Sequence, residues 1–239
     1  QGSVVEAGAE SDAFLLEVRA DANATRGLRD GVFARGDASA DLAGLAAAAA
    51  ATFALRLPAE NRMPAKMIDE FHESLLAVMR AADTLGFNGR YTQLKPSIED
   101  SFHFPIMVQI ATGSFWRKAS PEQKAQLIQV FSDVSVGTYA NRFSGFSGQS
   151  FQTKVTREGP QKTMLVDTVL KNPSGTDVAL TYVCREIKGA WRIIDVLLGP
   201  GISELAVRRS EYRRILKSDG IDGLIATLKR KARDLRSSD

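Results

Sequence analysis

At Gly145 the hydrophobic period of the chain changes from about 3.6 residues to about 2, so helices precede that point and strands follow it. Before the switch, Met67, Ile68, Phe71, Leu75, Leu76 and Met79 recur at helical spacing and predict one apolar face. Leu94, Ile98 and Phe102 mark a second helical segment around Pro96. Pro105 opens a third, with Ile106, Met107 and Ile110. Ser120-Pro121-Glu122-Gln123 has the chemistry of a capping box with proline in the first turn. The helix it starts continues through Leu127, Ile128, Phe131, Val134, Thr138 and Arg142.

After the switch, four strands are predicted at 150–157, 163–171, 177–187 and 190–198. Glu158-Gly-Pro-Gln, Asn172-Pro-Ser-Gly and Lys188-Gly189 separate them with residues suited to turns. Connections this short favour an antiparallel meander, because parallel neighbours need long crossovers. Met164, Val166, Thr168 and Leu170 share one face of the second strand; Val178, Leu180, Tyr182 and Cys184 share one face of the third. Gly199-Pro200-Gly201 ends the sheet, and helices at 203–217 and about 222–235 close the chain. The expected fold class is α+β, a four-stranded antiparallel sheet packed against several helices.

Net charge and cysteine content narrow the function. The formal charge is only +3, with acidic residues in excess up to residue 60 and Lys and Arg crowded toward the C-terminus. That balance suits anionic lipid or acidic protein surfaces and is too weak and scattered for nucleic acid. A single cysteine, Cys184, excludes an intrachain disulfide and a Cys-rich metal site, and its apolar strand context predicts a buried, inert thiol. No uncharged run of about 20 apolar residues is present, so no membrane-crossing helix is expected. Gln1-Gly2-Ser3 reads as an expression scar, under which a native export signal has been cut away. Residues 1–63 form an acidic, Ala-rich extension of no assignable function, and 64–239 the main domain. Within the extension, residues 42–55 read either as a signal-peptide core or as an Ala-rich helix, the second being preferred.

Signals for catalysis are poor. His72-Glu73 lacks the second histidine that a zinc-protease helix carries, and neither His72 nor His103 has a companion ligand cluster, so no metal site is expected. Gly145-Phe-Ser147-Gly-Gln149 lacks the final glycine of a nucleophile elbow and precedes a strand, where that motif precedes a helix. Asp195 is the one acid of interest, flanked by apolar residues in the last strand. A buried carboxylate needs partners, and an ion pair or backbone bonds at the sheet edge are the simplest. The sharper alternative is an enzyme acting on an apolar molecule, with Asp195 as base and Tyr182 as oxyanion donor. Ketosteroid isomerase combines an Asp base with a Tyr hydroxyl in this manner.

Several segments in order carry a resemblance. They are Trp116-Arg-Lys-Ala-Ser-Pro-Glu-Gln-Lys124, Tyr139-Ala-Asn-Arg-Phe-Ser-Gly145, Trp191-Arg-Ile-Ile-Asp-Val196, Gly201-Ile-Ser-Glu-Leu-Ala-Val-Arg-Arg-Ser-Glu-Tyr212 and Gly220-Ile-Asp-Gly-Leu-Ile225. From about Met67 onward the chain resembles the MlaC, or toluene-tolerance, family of periplasmic lipid-binding proteins. Residues 139–151 and 202–212 look most like its hopanoid-associated HpnM branch. The resemblance implies a periplasmic carrier that shuttles a phospholipid or hopanoid between inner- and outer-membrane complexes. It implies transient membrane contact, no cofactor and no chemistry. The long acidic start departs from the family's pattern.

A carrier must hide lipid chains from water at about 0.8 kcal/mol per methylene. It therefore needs an apolar pocket with polar groups at the mouth. The expected lining is Ile106, Met107, Ile110, Phe131, Phe143, Met164, Val166, Leu170, Leu180, Tyr182 and Val196. Arg208, Arg209, Arg213 and Arg214 form a basic helical cluster expected to dock on an anionic membrane or an acidic partner.

Overall fold

The structure, a computed structural model, describes residues 63–173 and 175–237. The Ala-rich segment at 42–55, and almost all of the N-terminal extension, lie outside the described residues. Helix α1 (Pro64–Arg80) places proline at its start, where the missing N–H costs nothing. Its buried face carries Met67, Ile68, Phe71, Leu75, Leu76 and Met79 as the spacing predicts, with His72 and Val78 added.

Helix α2 (Ala82–Ser101) is longer than the segment expected around Pro96, which lies inside it. Gly86 takes φ 56° near its start, a left-handed value open to glycine, and bends the helix there. Phe102 then runs extended and bridges to Ile193, and the His103 N–H donates to the Ile193 carbonyl at 2.9 Å. Helix α3 (Phe104–Thr112) begins where the Ile106 N–H donates to His103 Nδ1 at 3.2 Å. His103 is thus a helix cap. After a 3₁₀ segment (Gly113–Lys118), α4 (Pro121–Arg142) opens on the expected capping box. Ser120 Oγ accepts from the Gln123 N–H, and Gln123 Oε1 accepts from the Ser120 N–H, both at 3.1 Å.

The strands β1 (Ser150–Gly159), β2 (Thr163–Lys171), β3 (Val178–Ile187) and β4 (Ala190–Leu198) follow, all antiparallel neighbours in sequence order. The sheet has five strands, where the sequence predicts four. Gly199 and Gly201 take φ 51° and 110° and turn the chain back on itself. The residues beyond them, β5 (Ile202–Ser203), then pair with Leu198 and Leu197. Two residues are too short a run to show any period, which is why the strand goes unread. Helices α5 (Glu204–Ser218) and α6 (Gly220–Arg236) close the described chain.

Helices α1, α2, α3 and α5 pack on the sheet at β4, and α1 also packs on β1 and β2. Helix α4 is enclosed by α2, α3 and α6, so it buries residues around most of its circumference and lacks a single apolar stripe. Cys184 is fully buried, and burial pushes its thiol up to about 12, the inert state expected of it.

Candidate functional site: a cavity between helices and sheet

Where α2, α3, α4 and α5 cross the sheet they leave a cavity of about 70 Å³. Its deep wall is apolar: Ile98 and Phe102 from α2 and its end, Met107 from α3, and Leu170, Leu180, Tyr182 and Val196 from the strands. Ser135, Thr138, Tyr139 and Arg142 come from α4 at spacings of three, four and seven, so one helical stripe supplies a polar wall. Glu204, Leu205 and Arg208 face it from the first turns of α5. Ile98 and Tyr182 are sealed from solvent, whereas Arg142, Leu198, Glu204 and Arg208 are half-buried. The polar end is therefore the mouth.

Six of the eleven expected lining residues meet here: Met107, Phe143, Leu170, Leu180, Tyr182 and Val196. The other five do not. Val166 is fully buried in the core on the sheet face that α1 covers, and Phe131 packs edge-on against Phe104 and Tyr212. Met164 stands half-buried at the start of β2, opposite Cys184, and Ile106 is half-buried on α3. Ile110 faces outward at 39% exposure. The residues missed are mainly polar, and the signal for them was the 135–138–139–142 spacing on a helix whose neighbours are buried.

The basic cluster also divides. Arg209, Arg213 and Arg214 are exposed, with Arg209 resting its guanidinium beside Gly113. Arg208 is separated from them. It lies on the same face as Leu205, Tyr212 and Leu216 and sits 5.2 Å over the Phe131 ring.

The acid–base pair is not assembled. Asp195 spends its carboxylate on structure: Oδ1 accepts from the N–H groups of Val196 (2.8 Å) and Leu205 (3.1 Å), and Oδ2 from the Ser203 hydroxyl (2.6 Å). Burial raises its pKa while those bonds and the neighbouring backbone oppose the rise. The Tyr182 hydroxyl is engaged elsewhere, 2.9 Å from His72 Nε2. The His72 ring is 2% exposed and stacks on Phe151 with centroids 3.9 Å apart. Burial lowers its pKa to about 3, so it is neutral, and its Nδ1 is buried with no hydrogen-bond partner among the described residues. Among those residues no group of three or more His, Cys, Asp or Glu could hold a metal ion, and no helix is long and apolar enough to cross a membrane.

Known proteins resemble this chain in sequence and in fold. A family model described as MlaC protein matches residues 69–230. The intermembrane phospholipid transport system binding protein MlaC of Haemophilus influenzae is 25% identical over 124 residues, which is 50% of this chain and 58% of that protein. The chain thus spans less than two thirds of that relative's length. A solved phospholipid-binding protein from Ralstonia solanacearum, in complex with a phospholipid, has 22% identity and a TM-score of 0.63. The match covers 71% of this chain and 96% of that one, a likeness of fold.

Proposed function

The chain belongs to the MlaC family, and from that premise we propose that it is a periplasmic lipid carrier. It would take a membrane phospholipid by its acyl chains and pass it between inner- and outer-membrane complexes. The observation that carries this reading is the cavity itself, apolar at depth and polar at its mouth, set between helices and sheet. Residues 64–239 would be the lipid-binding unit and 1–63 an extension with no assigned part in binding.

Size decides how loading must work. Ligand pockets run to about 300–1,000 Å³, and this cavity holds about 70 Å³. Two acyl chains with roughly 30 methylenes gain on the order of 20 kcal/mol by leaving water. That is enough to part side chains whose contacts are individually weak. Met107, unbranched and polarizable, suits a wall that must remodel. Hopanoid is the second cargo under this reading, resting on the HpnM-like segments 139–151 and 202–212.

Mass spectrometry of the purified protein under native conditions, with organic extraction, tests the proposal. Stoichiometric phospholipid or hopanoid is the expected result. A ligand-free protein that also takes up no lipid from vesicles would overturn it. For Arg209, Arg213 and Arg214, the proposed role is contact with an anionic membrane or an acidic partner during transfer.

A further inference from the structure

We propose that Ile110, Phe115 and Trp116, with the cations around them, form a membrane seat that enters the headgroup layer of an anionic bilayer. The inference deepens the carrier reading, under which the protein must meet a bilayer, and it names the surface that touches. Helix α3 ends with Ile110 exposed at 39%, and the 3₁₀ segment that follows holds Phe115 and Trp116 half-buried. Both rings lie under a cation: Lys118 Nζ stands 6.0 Å from the Phe115 centroid, and Lys124 Nζ 5.5 Å from that of Trp116. Arg209 reaches across from α5 to lay its guanidinium beside Gly113. Residues 113–124 also hold Arg117, which is exposed, and one carboxylate, Glu122, whose Oε2 accepts from the Ser120 hydroxyl at 2.8 Å. None of Arg117, Lys118, Lys124 and Arg209 forms an ion pair among the described residues.

This combination suits a bilayer better than a protein. The buried centre of a protein interface is depleted in charged residues, lysine included, whereas here a lysine covers each ring. Tryptophan belongs at the headgroup level, where its ring meets apolar chains and its N–H stays wet. Lysine stems lie along apolar surface while the ammonium reaches outward, here to lipid phosphates. The rings are thus partly covered in water and uncovered when the ammonium groups move to an anionic surface. Each cation there adds about fivefold in affinity, and three apolar side chains add only a shallow grip. Such a seat holds weakly and lets go, which a shuttle between membranes requires. Position agrees with this role. Helices α3 and α5 also wall the cavity through Met107, Leu205 and Arg208, so seating them brings the helices of the mouth to the lipid surface.

Trp191→Phe leaves Trp116 as the one tryptophan of the chain. This full-length variant is mixed with phosphatidylglycerol vesicles whose acyl chains carry bromine, a short-range quencher of indole emission. Trp116 emission should fall on mixing and recover in the supernatant once the vesicles are sedimented. Phosphatidylcholine vesicles should leave it unchanged. Ile110→Asp and Lys118→Glu should each weaken vesicle association, the second by about fivefold or more. The reverse variant Trp116→Phe, which reports on Trp191 in β4, should show no recoverable quenching. Should Trp191→Phe not fold, wild type and Trp116→Phe give the share of Trp116 by difference. Emission that stays constant throughout overturns the inference and leaves the patch to a protein partner. Quenching that persists entirely in the supernatant also overturns it, because it comes from lipid held in the cavity, and that result upholds the carrier reading. Recoverable quenching with no lipid left on the protein by mass spectrometry upholds the seat and overturns the carrier.

Discussion

The two ends of the cavity are built on different principles. Toward α1, aromatic rings close it: Phe71 meets Phe102, Tyr139 and Tyr182 edge-on at 5.4–6.3 Å, and the Tyr182 hydroxyl is tied to His72. Toward α5, the wall is half-exposed and charged. The Tyr182 hydroxyl at the first end points away from the cavity to a buried histidine. Ring geometry makes the first end rigid, since edge-to-face contacts tolerate little displacement. The second end is held by long side chains that can swing. Cargo should therefore enlarge the cavity from the α5 side and leave the α1 side as a fixed floor.

The largest effect should come from breaking the floor. Phe71→Ala removes the ring that joins three others and should cost about 3–5 kcal/mol, read by urea denaturation. Acid should attack the same end. His72 is neutral when folded, with its pKa lowered to about 3, but has the ordinary value near 6.5 when unfolded. The stabilising contribution is thus complete above pH 6.5 and declines as pH falls toward 3. The expected loss is about 2 kcal/mol between pH 8 and pH 5, and His72→Phe should flatten that slope. Leu180→Trp, which fills the cavity rather than the floor, should cost about 1–2 kcal/mol and sharply reduce co-purified lipid. Unaltered lipid content would show that cargo does not use this space. The smallest effect belongs to the outer surface. Arg209→Glu/Arg213→Glu should change stability by no more than about 0.5 kcal/mol while slowing transfer to anionic vesicles; unchanged transfer would remove these residues from docking.

Most of the fold was legible because period and turn chemistry are local signals. The Ser120 cap, the four long strands and both C-terminal helices stand within a few residues of where spacing puts them. The cavity was only half legible. Alternation tells which face of a strand a residue occupies, and it assigns Val166 and Leu170 to the same face. It does not tell which helix covers each, and α1 seals the one while the other borders open space. Helix α3 is apolar almost all round, so its phase was unreadable and Ile110 was placed inside when it faces out. Arg208 was grouped with Arg209 by adjacency, although consecutive helical residues point about 100° apart. The spacing from Leu205 through Arg208 to Tyr212 already held the answer.

Asp195 has a mechanical consequence. Its carboxylate binds the backbone of β4, the Ser203 hydroxyl and the first turn of α5 at once, while Ser203 Oγ in turn caps that helix at the Ala206 N–H. Pulling the start of α5 off the sheet would strand a half-buried carboxylate, at roughly 1.5–3 kcal/mol for each bond lost. The strand and the root of the helix therefore behave as one part, like a hinge leaf riveted to its frame. The compliant seam must run along the other side, between α5 and α4. Arg142 on α4 and Arg208 on α5 stand on opposite lips of that seam.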